Sequence, residues 1–170
     1  MTKTSYVVAV GSNRSHHRHG RPPAVVKAAA AALASARGVK VKAVAPISIT
    51  PALGPAGRSF ANSALVLTSK KSPEKLLDLL KKTERDFGRR KVRRWGPRVL
   101  DLDIILWSGG IWADNRLAVP HPAFRERRFV LDPLASLVPD WRDPRDGLTV
   151  RQLRARLLRR KPVDPAPRAA

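Results

Sequence analysis

The chain has 170 residues, no cysteine and a formal net charge of +21. At that length roughly two-thirds of the unfolded surface is buried on folding, so one domain spanning residues 1–160 is expected, with no disulfide, no cysteine nucleophile and no thiolate-bound zinc. The apolar stretch at residues 6–10 is too short for a signal peptide and no run approaches the ~20 residues of a membrane span, so the expected setting is the cytoplasm, without a membrane partner.

In chain order, residues 6–10 (YVVAV) form a β-rich run that stops at Gly11-Ser12-Asn13, the pattern of a central strand ending in a turn. A polar insert with His16, His17 and His19 follows; in an arginine-flanked loop such histidines are more often solvated than ligating. The alanine-rich residues 24–36 predict a helix closed by Gly38, and residues 39–43 (VKVKA) a half-exposed strand. Four Pro or Gly fall within residues 50–57, which predicts a loop.

Residues 60–68 return to strand composition, with Phe60, Asn62 and Ala64 on one face and Ala61, Ser63 and Leu65 on the other. Ser72-Pro73-Glu74 predicts a capped helix start and Gly88 its end, with an apolar stripe of Leu76, Leu80, Thr83 and Phe87 joined by Leu77. Residues 99–107 predict a fourth long strand, in which Leu100, Leu102, Ile104 and Leu106 face the core. The order β-α-β-β-α-β is that of an α+β, ferredoxin-like fold, an antiparallel sheet with helices on one face. After Ser108-Gly109-Gly110 an extra hairpin is expected, then a basic amphipathic helix at 148–159. Residues 161–170, rich in proline, read as a disordered tail.

The most informative stretch is residues 94–105, RWGPRVLDLDII. It places Asp101 and Asp103 at alternate positions of an otherwise apolar strand, hence on one face and roughly 6.6 Å apart along the chain. Acids in an interior strand are costly unless they hold cations or pair with arginine, and Arg98 is near enough to be such a partner. No Asp or Glu precedes Glu74, while residues 81–98 carry nine basic and two acidic residues. Paired carboxylates behind an arginine-rich approach point to magnesium and a polyphosphate. There is no G-x-x-x-x-G-K-[ST] loop and no G-x-G-x-x-G, so a nucleotide would be held by side chains and metal.

A basic nucleic-acid-binding module and a metal-dependent nuclease remain alternative readings. Nucleic acid is the less favoured partner, because aromatics make up only 5% of the chain and stacking platforms for bases are scarce. His121, between Pro120 and Pro122, reads either as a turn residue or as a site residue.

The motif Arg94-Trp95-Gly96-Pro97-Arg98 followed by Leu100-Asp101-Leu102-Asp103-Ile104 closely resembles the signature of the 6-hydroxymethyl-7,8-dihydropterin pyrophosphokinase family of folate biosynthesis. Further segments agree in order: Val10-Gly11-Ser12-Asn13, Thr50-Pro51-Ala52-Leu53-Gly54-Pro55, Phe60-Ala61-Asn62, Phe87-Gly88-Arg89 and Val119-Pro120-His121-Pro122. The resemblance implies a ferredoxin-like enzyme that transfers diphosphate from ATP to the pterin hydroxymethyl group, releasing AMP; the chain is expected to be a monomer. It further implies that Asp101 and Asp103 bind two magnesium ions and that Arg89 and Arg98 are catalytic-loop arginines. Arg94, Trp95, Ile104, His121 and Arg127 match nucleotide-side positions. Phe60 and Phe129 match a pair that stacks on the pterin, Asn62 the side chain that reads its edge, and Gly11, Thr50, Ala52 and Leu53 further pterin-side positions.

Overall fold

The structure, a computed structural model, describes residues 2–50, 59–88 and 98–159. Its main sheet holds β1 (Thr4–Ser12), β2 (Val39–Val44), β3 (Ser48–Thr50), β4 (Phe60–Ser69) and β5 (Asp101–Trp107), in the order β2-β4-β1-β5 with β3 also paired to β4. All pairings are antiparallel. The predicted α+β core is therefore present. Thr50, assigned from sequence to a loop, instead ends the short strand β3, where it lies opposite Phe60. Residues 51–57 of that loop, and the tail at 161–170, fall outside the described residues.

Helices α1 (Pro22–Ala34) and α2 (Pro73–Asp86) cover one face. Val8, Val10, Leu65, Leu67, Leu100, Leu102 and Ile104 meet Val25, Val26, Ala29, Leu33, Leu76, Leu77 and Leu80 in a buried core. The predicted stripe of α2 is thus the buried one. Two details differ: α1 begins at Pro22, and the Ser72 side chain makes no capping bond at the start of α2. That start rests on Pro73, whose fixed φ suits a first turn, and on Glu74 near the positive end of the helix dipole.

The opposite face is covered by the C-terminal part. A small hairpin, β6 (Trp112–Ala113) with β7 (Ala118–Val119), leads through a 3-10 turn at Phe124–Glu126 to α3 (Arg128–Leu137) and α4 (Val150–Arg159). The hairpin and α4 were expected; α3 was not, because Pro133 lies inside it and proline normally argues against a helix interior. Val7, Ala64, Ile105, Leu106, Phe124, Val130, Leu131, Leu134, Val150 and Leu153 form this second core. Its polar fastening is Asp143, which is fully buried. Asp143 accepts the Arg125 Nε–H and, at 3.0 Å, the Arg145 N–H, while Arg125 lies over the Phe124 ring at 4.7 Å.

Leu106 belongs to this second core, not to the first as strict alternation predicts. The β1–β5 register runs Val7↔Leu106 and then Val8↔Ile104. Ile105 is thus the extra residue of a β-bulge, and a bulge turns the residues beyond it to the other face. Among the described residues no helix is long and apolar enough to cross a membrane.

Candidate active site

The three adjacent strands β4, β1 and β5 place Asn62, Gly11 and Asp101 in one cross-strand row, with Ala64, Ala9 and Asp103 in the next. Neighbouring strands lie about 4.8 Å apart, so the Asn62 amide and the two acids flank a floor about one strand wide. That floor carries no large side chain, since β1 contributes only Gly11 and Ala9 to it. At the open end of the second face, beside the N-terminus of α3, a cleft of about 400 Å³, open solvent at its mouth included, is lined by Gly11, Asn62, Asp101, Asp103, His121, Arg127 and Phe129.

Each of these side chains has a local reason for its position. Asn62 is 5% exposed and its Nδ2 donates to Thr50 Oγ1 at 3.1 Å; a Cβ on Gly11 would lie only 3.3 Å from its Oδ1. Gly11 therefore keeps that oxygen free to turn toward the cleft. Phe60 precedes Asn62 by two residues, and hence lies on the same face of β4. Phe60 and Phe129 are 43% and 42% exposed, so neither is a core aromatic. Arg127 lies 5.7 Å from the Phe129 ring centroid, and it is the extended residue immediately before α3.

His121 is held by the bulge. Its backbone N–H donates to the carbonyl of Ile105 at 3.0 Å, and the Ala123 N–H donates to its Nδ1 at 3.2 Å. With Nδ1 accepting, the ring is assigned as the neutral tautomer bearing its proton on Nε2, a donor. Burial first, and then the Arg127 charge, hold its pKa below the usual imidazole range against the opposing pull of Asp101.

Arg98 Nη1 lies 3.3 Å from Asp101 Oδ1, and the Arg98 backbone is fastened to Asn13. Its N–H donates to Asn13 Oδ1 at 2.7 Å, and its carbonyl accepts the Asn13 N–H at 3.1 Å. Burial and the neighbouring Asp101 carboxylate push Asp103 up to about 6; Glu84 adds to the rise, while Lys81 and Arg127 oppose it. Two acids held against mutual repulsion form an all-oxygen donor pair that a divalent cation relieves. Among the described residues no group of three or more His, Cys, Asp or Glu is placed to hold a metal. The pair fits magnesium, which takes one or two carboxylates and completes its shell with water and phosphate oxygens.

This strain has a measurable sign. Because folding raises the pKa of Asp103 from 3.8 to about 6, the protonated acid is favoured in the folded state. Its contribution to stability is complete below the unfolded value and is lost as pH rises through the folded one, by about 3 kcal/mol. In chelator, the melting temperature of the wild type relative to Asp103→Asn should fall by roughly 6–12 °C between pH 4 and pH 7. Equal slopes in the two proteins would show that the acid is not strained.

The family described as 7,8-dihydro-6-hydroxymethylpterin-pyrophosphokinase (HPPK) matches residues 7–139. The chain belongs to this family. A 2-amino-4-hydroxy-6-hydroxymethyldihydropteridine pyrophosphokinase of Pseudomonas aeruginosa is 40% identical over 149 residues, 87% of this chain and 88% of that protein. Its Synechocystis namesake is 40% identical over 128 residues, 75% of this chain and 66% of its own length. The Plasmodium falciparum HPPK-DHPS crystallised with pterin and p-hydrobenzoate superposes with a TM-score of 0.68 at 12% identity, which is a likeness of fold. The match covers 94% of this chain and 42% of that one.

Of the site residues expected of a pyrophosphokinase of this family, seven line the cleft together. Thr50, Phe60 and Arg98 stand around them. The Ile104 side chain does not: it is 2% exposed in the core beneath α1 and α2. Alternation turns it away from the acids, and Ile105 lines the cleft in its place. Ala52, Leu53, Arg89, Arg94 and Trp95 lie outside the described residues. Sequence reasoning also missed Ser63, Val130 and the buried Glu84. Glu84 continues the helical spacing of Leu77 and Leu80, a signal that an acid occupies a core position of α2.

Proposed function

We propose that the chain transfers the terminal diphosphate of ATP to the hydroxymethyl group of 6-hydroxymethyl-7,8-dihydropterin, releasing AMP. The observation that carries this reading is the row Asn62, Gly11, Asp101 across β4, β1 and β5. A flat, two-ring heterocycle needs a floor without side chains, a polar group at one edge and aromatic faces. Gly11 and Ala9 supply the floor, Asn62 the edge, and Phe60 and Phe129 the faces. So placed, the heterocycle has its far edge toward the carboxylates, where its hydroxyl is to react.

In the reaction the pterin hydroxyl oxygen attacks the β-phosphorus, the bond from that phosphorus to the α,β-bridging oxygen breaks, and AMP carries the electron pair away. The hydroxyl proton passes to solvent. Asp101 and Asp103 would hold magnesium, two ions by the family resemblance, supplying neutralisation of the charge that develops on the phosphate oxygens. Arg127 and the Nε2–H of His121 offer positive charge and a hydrogen-bond donor on the nucleotide side. Arg98 sits at the entrance, one-third exposed and already beside Asp101, where it meets the same phosphates.

The test is AMP formation from ATP that depends on the pterin alcohol. Formation of ADP, turnover without pterin, or magnesium-dependent cleavage of labelled oligonucleotide would replace this reading. Phe129→Ala removes one stacking face, worth about 1–3 kcal/mol for a base-sized ring, so KM for the pterin should rise roughly 5- to 150-fold. KM for ATP should move much less; an unchanged pterin KM would place the ring elsewhere.

A further inference from the structure

Glu84 is fully buried on α2. One carboxylate oxygen accepts the Leu102 N–H at 2.9 Å and the other lies 3.4 Å from Lys81 Nζ. Leu102 is the residue between Asp101 and Asp103, and β5 is the end strand of the sheet path, paired among the described residues with β1 alone. On such a strand alternate N–H groups point away from the partner, and without an acceptor the backbone is free to twist or to slip. The Leu102 N–H is one of these outward groups. Its side chain is locked in the first core, its neighbours' side chains face the cleft, and Glu84 holds the peptide that joins the two.

A carboxylate in the core of a helix–sheet interface is costly; leucine at this position would extend the stripe of Leu77 and Leu80 without that cost. The acid's return is therefore in what it holds. We infer that Glu84 is a positioning residue for the metal-binding carboxylates: its oxygen fixes the Leu102 peptide, and with it the angle and separation at which Asp101 and Asp103 face a divalent cation. The inference rests on the reading of those two acids as cation ligands. Partners behind ligands typically change metal affinity 10- to 100-fold when removed.

Two substitutions separate acceptor from charge. Glu84→Gln keeps the length and an acceptor oxygen but loses the charge; Glu84→Asp keeps the charge but is one methylene too short to reach the Leu102 N–H. Binding of Mn²⁺ in the presence of a nonhydrolysable ATP analogue, followed by electron paramagnetic resonance, should weaken about tenfold or more in Glu84→Asp and stay within about threefold in Glu84→Gln. Exchange of the Leu102 amide with deuterium should quicken in Glu84→Asp only, and the rate of AMP formation in that variant should recover at high magnesium, with the pterin KM unmoved. Wild-type Mn²⁺ binding in Glu84→Asp, or a tenfold loss in Glu84→Gln, overturns the inference. Asp101→Asn is the control: if it too binds Mn²⁺ normally, the metal site itself has been misread, whereas normal binding in Glu84→Asp alone removes only the role of Glu84. Should Glu84→Asp fail to fold, Glu84→Met, which keeps the length but offers no acceptor oxygen, takes its place, and wild-type Mn²⁺ binding there overturns the inference.

Discussion

Asp101→Asn is expected to lower kcat/KM for pyrophosphoryl transfer by roughly 10³-fold while leaving the melting temperature within a few degrees of wild type. The substitution preserves shape and removes one of two oxygen ligands from the pair. Loss of transition-state charge stabilisation of this kind is worth several kcal/mol, and each 1.36 kcal/mol is a factor of ten in rate. Size decides between this reading and the bland one. If Asp101 served only to pair with Arg98, at 3.3 Å and with both side chains about one-third exposed, its loss would cost at most ~1 kcal/mol, a change of about fivefold. Steady-state AMP formation across a magnesium series, with circular dichroism to establish folding, separates the two. Activity within tenfold of wild type at ordinary magnesium would remove Asp101 from the machinery.

Asp143→Ala should be the most damaging substitution outside the cleft. The carboxylate is completely buried and accepts the Arg125 Nε–H, while Arg125 Nη2 is buried without a hydrogen-bond partner among the described residues. Removing one member of a buried pair leaves an uncompensated charge, at a cost of about 3–5 kcal/mol. For a chain of this size that is a fall of roughly 6–20 °C in melting temperature. The double change Arg125→Met with Asp143→Leu should regain most of it, because the charges and their desolvation vanish together. Since Arg125 lies between His121 and Arg127, the single variant should also raise KM for ATP below its transition. A melting point within 2 °C of wild type for Asp143→Ala would mean that the 3-10 turn and the segment before α4 are held by packing alone.

The core of the site was legible because its chemistry is local. Asp101 and Asp103 face one way through nothing more than strand alternation, and the RWGPR–LDLD motif is contiguous. Gly11 and Asn62 were legible only through resemblance: that they lie side by side is a matter of β1–β4 register, which one strand's pattern does not specify. Ile104 shows the opposite failure. Strand alternation from Asp103 turns Ile104 inward and leaves Ile105 on the cleft side, yet the bulge at Ile105, a two-against-one mismatch between strands, then sends Leu106 to the second core as well.

What the amino-acid order determined by itself is therefore whatever repeats within one element: the α2 stripe, the alternation along β4 and, up to its bulge, β5, the punctuation at Gly38 and Gly88, and the acid pair; the turn read at Gly11 is instead continuous strand, since β1 runs on to Ser12. Tertiary structure alone decided the matters that need two elements at once. These are the row joining Asn62, Gly11 and Asp101, the bulge that hangs His121 from Ile105, the clasp of Arg125 by Asp143, and the reach of Glu84 from α2 to the peptide between the two acids. The reason is physical: periodicity records which side of an element is buried, whereas register, bulges and buried ion pairs are settled by the partner that fills the other half of each contact.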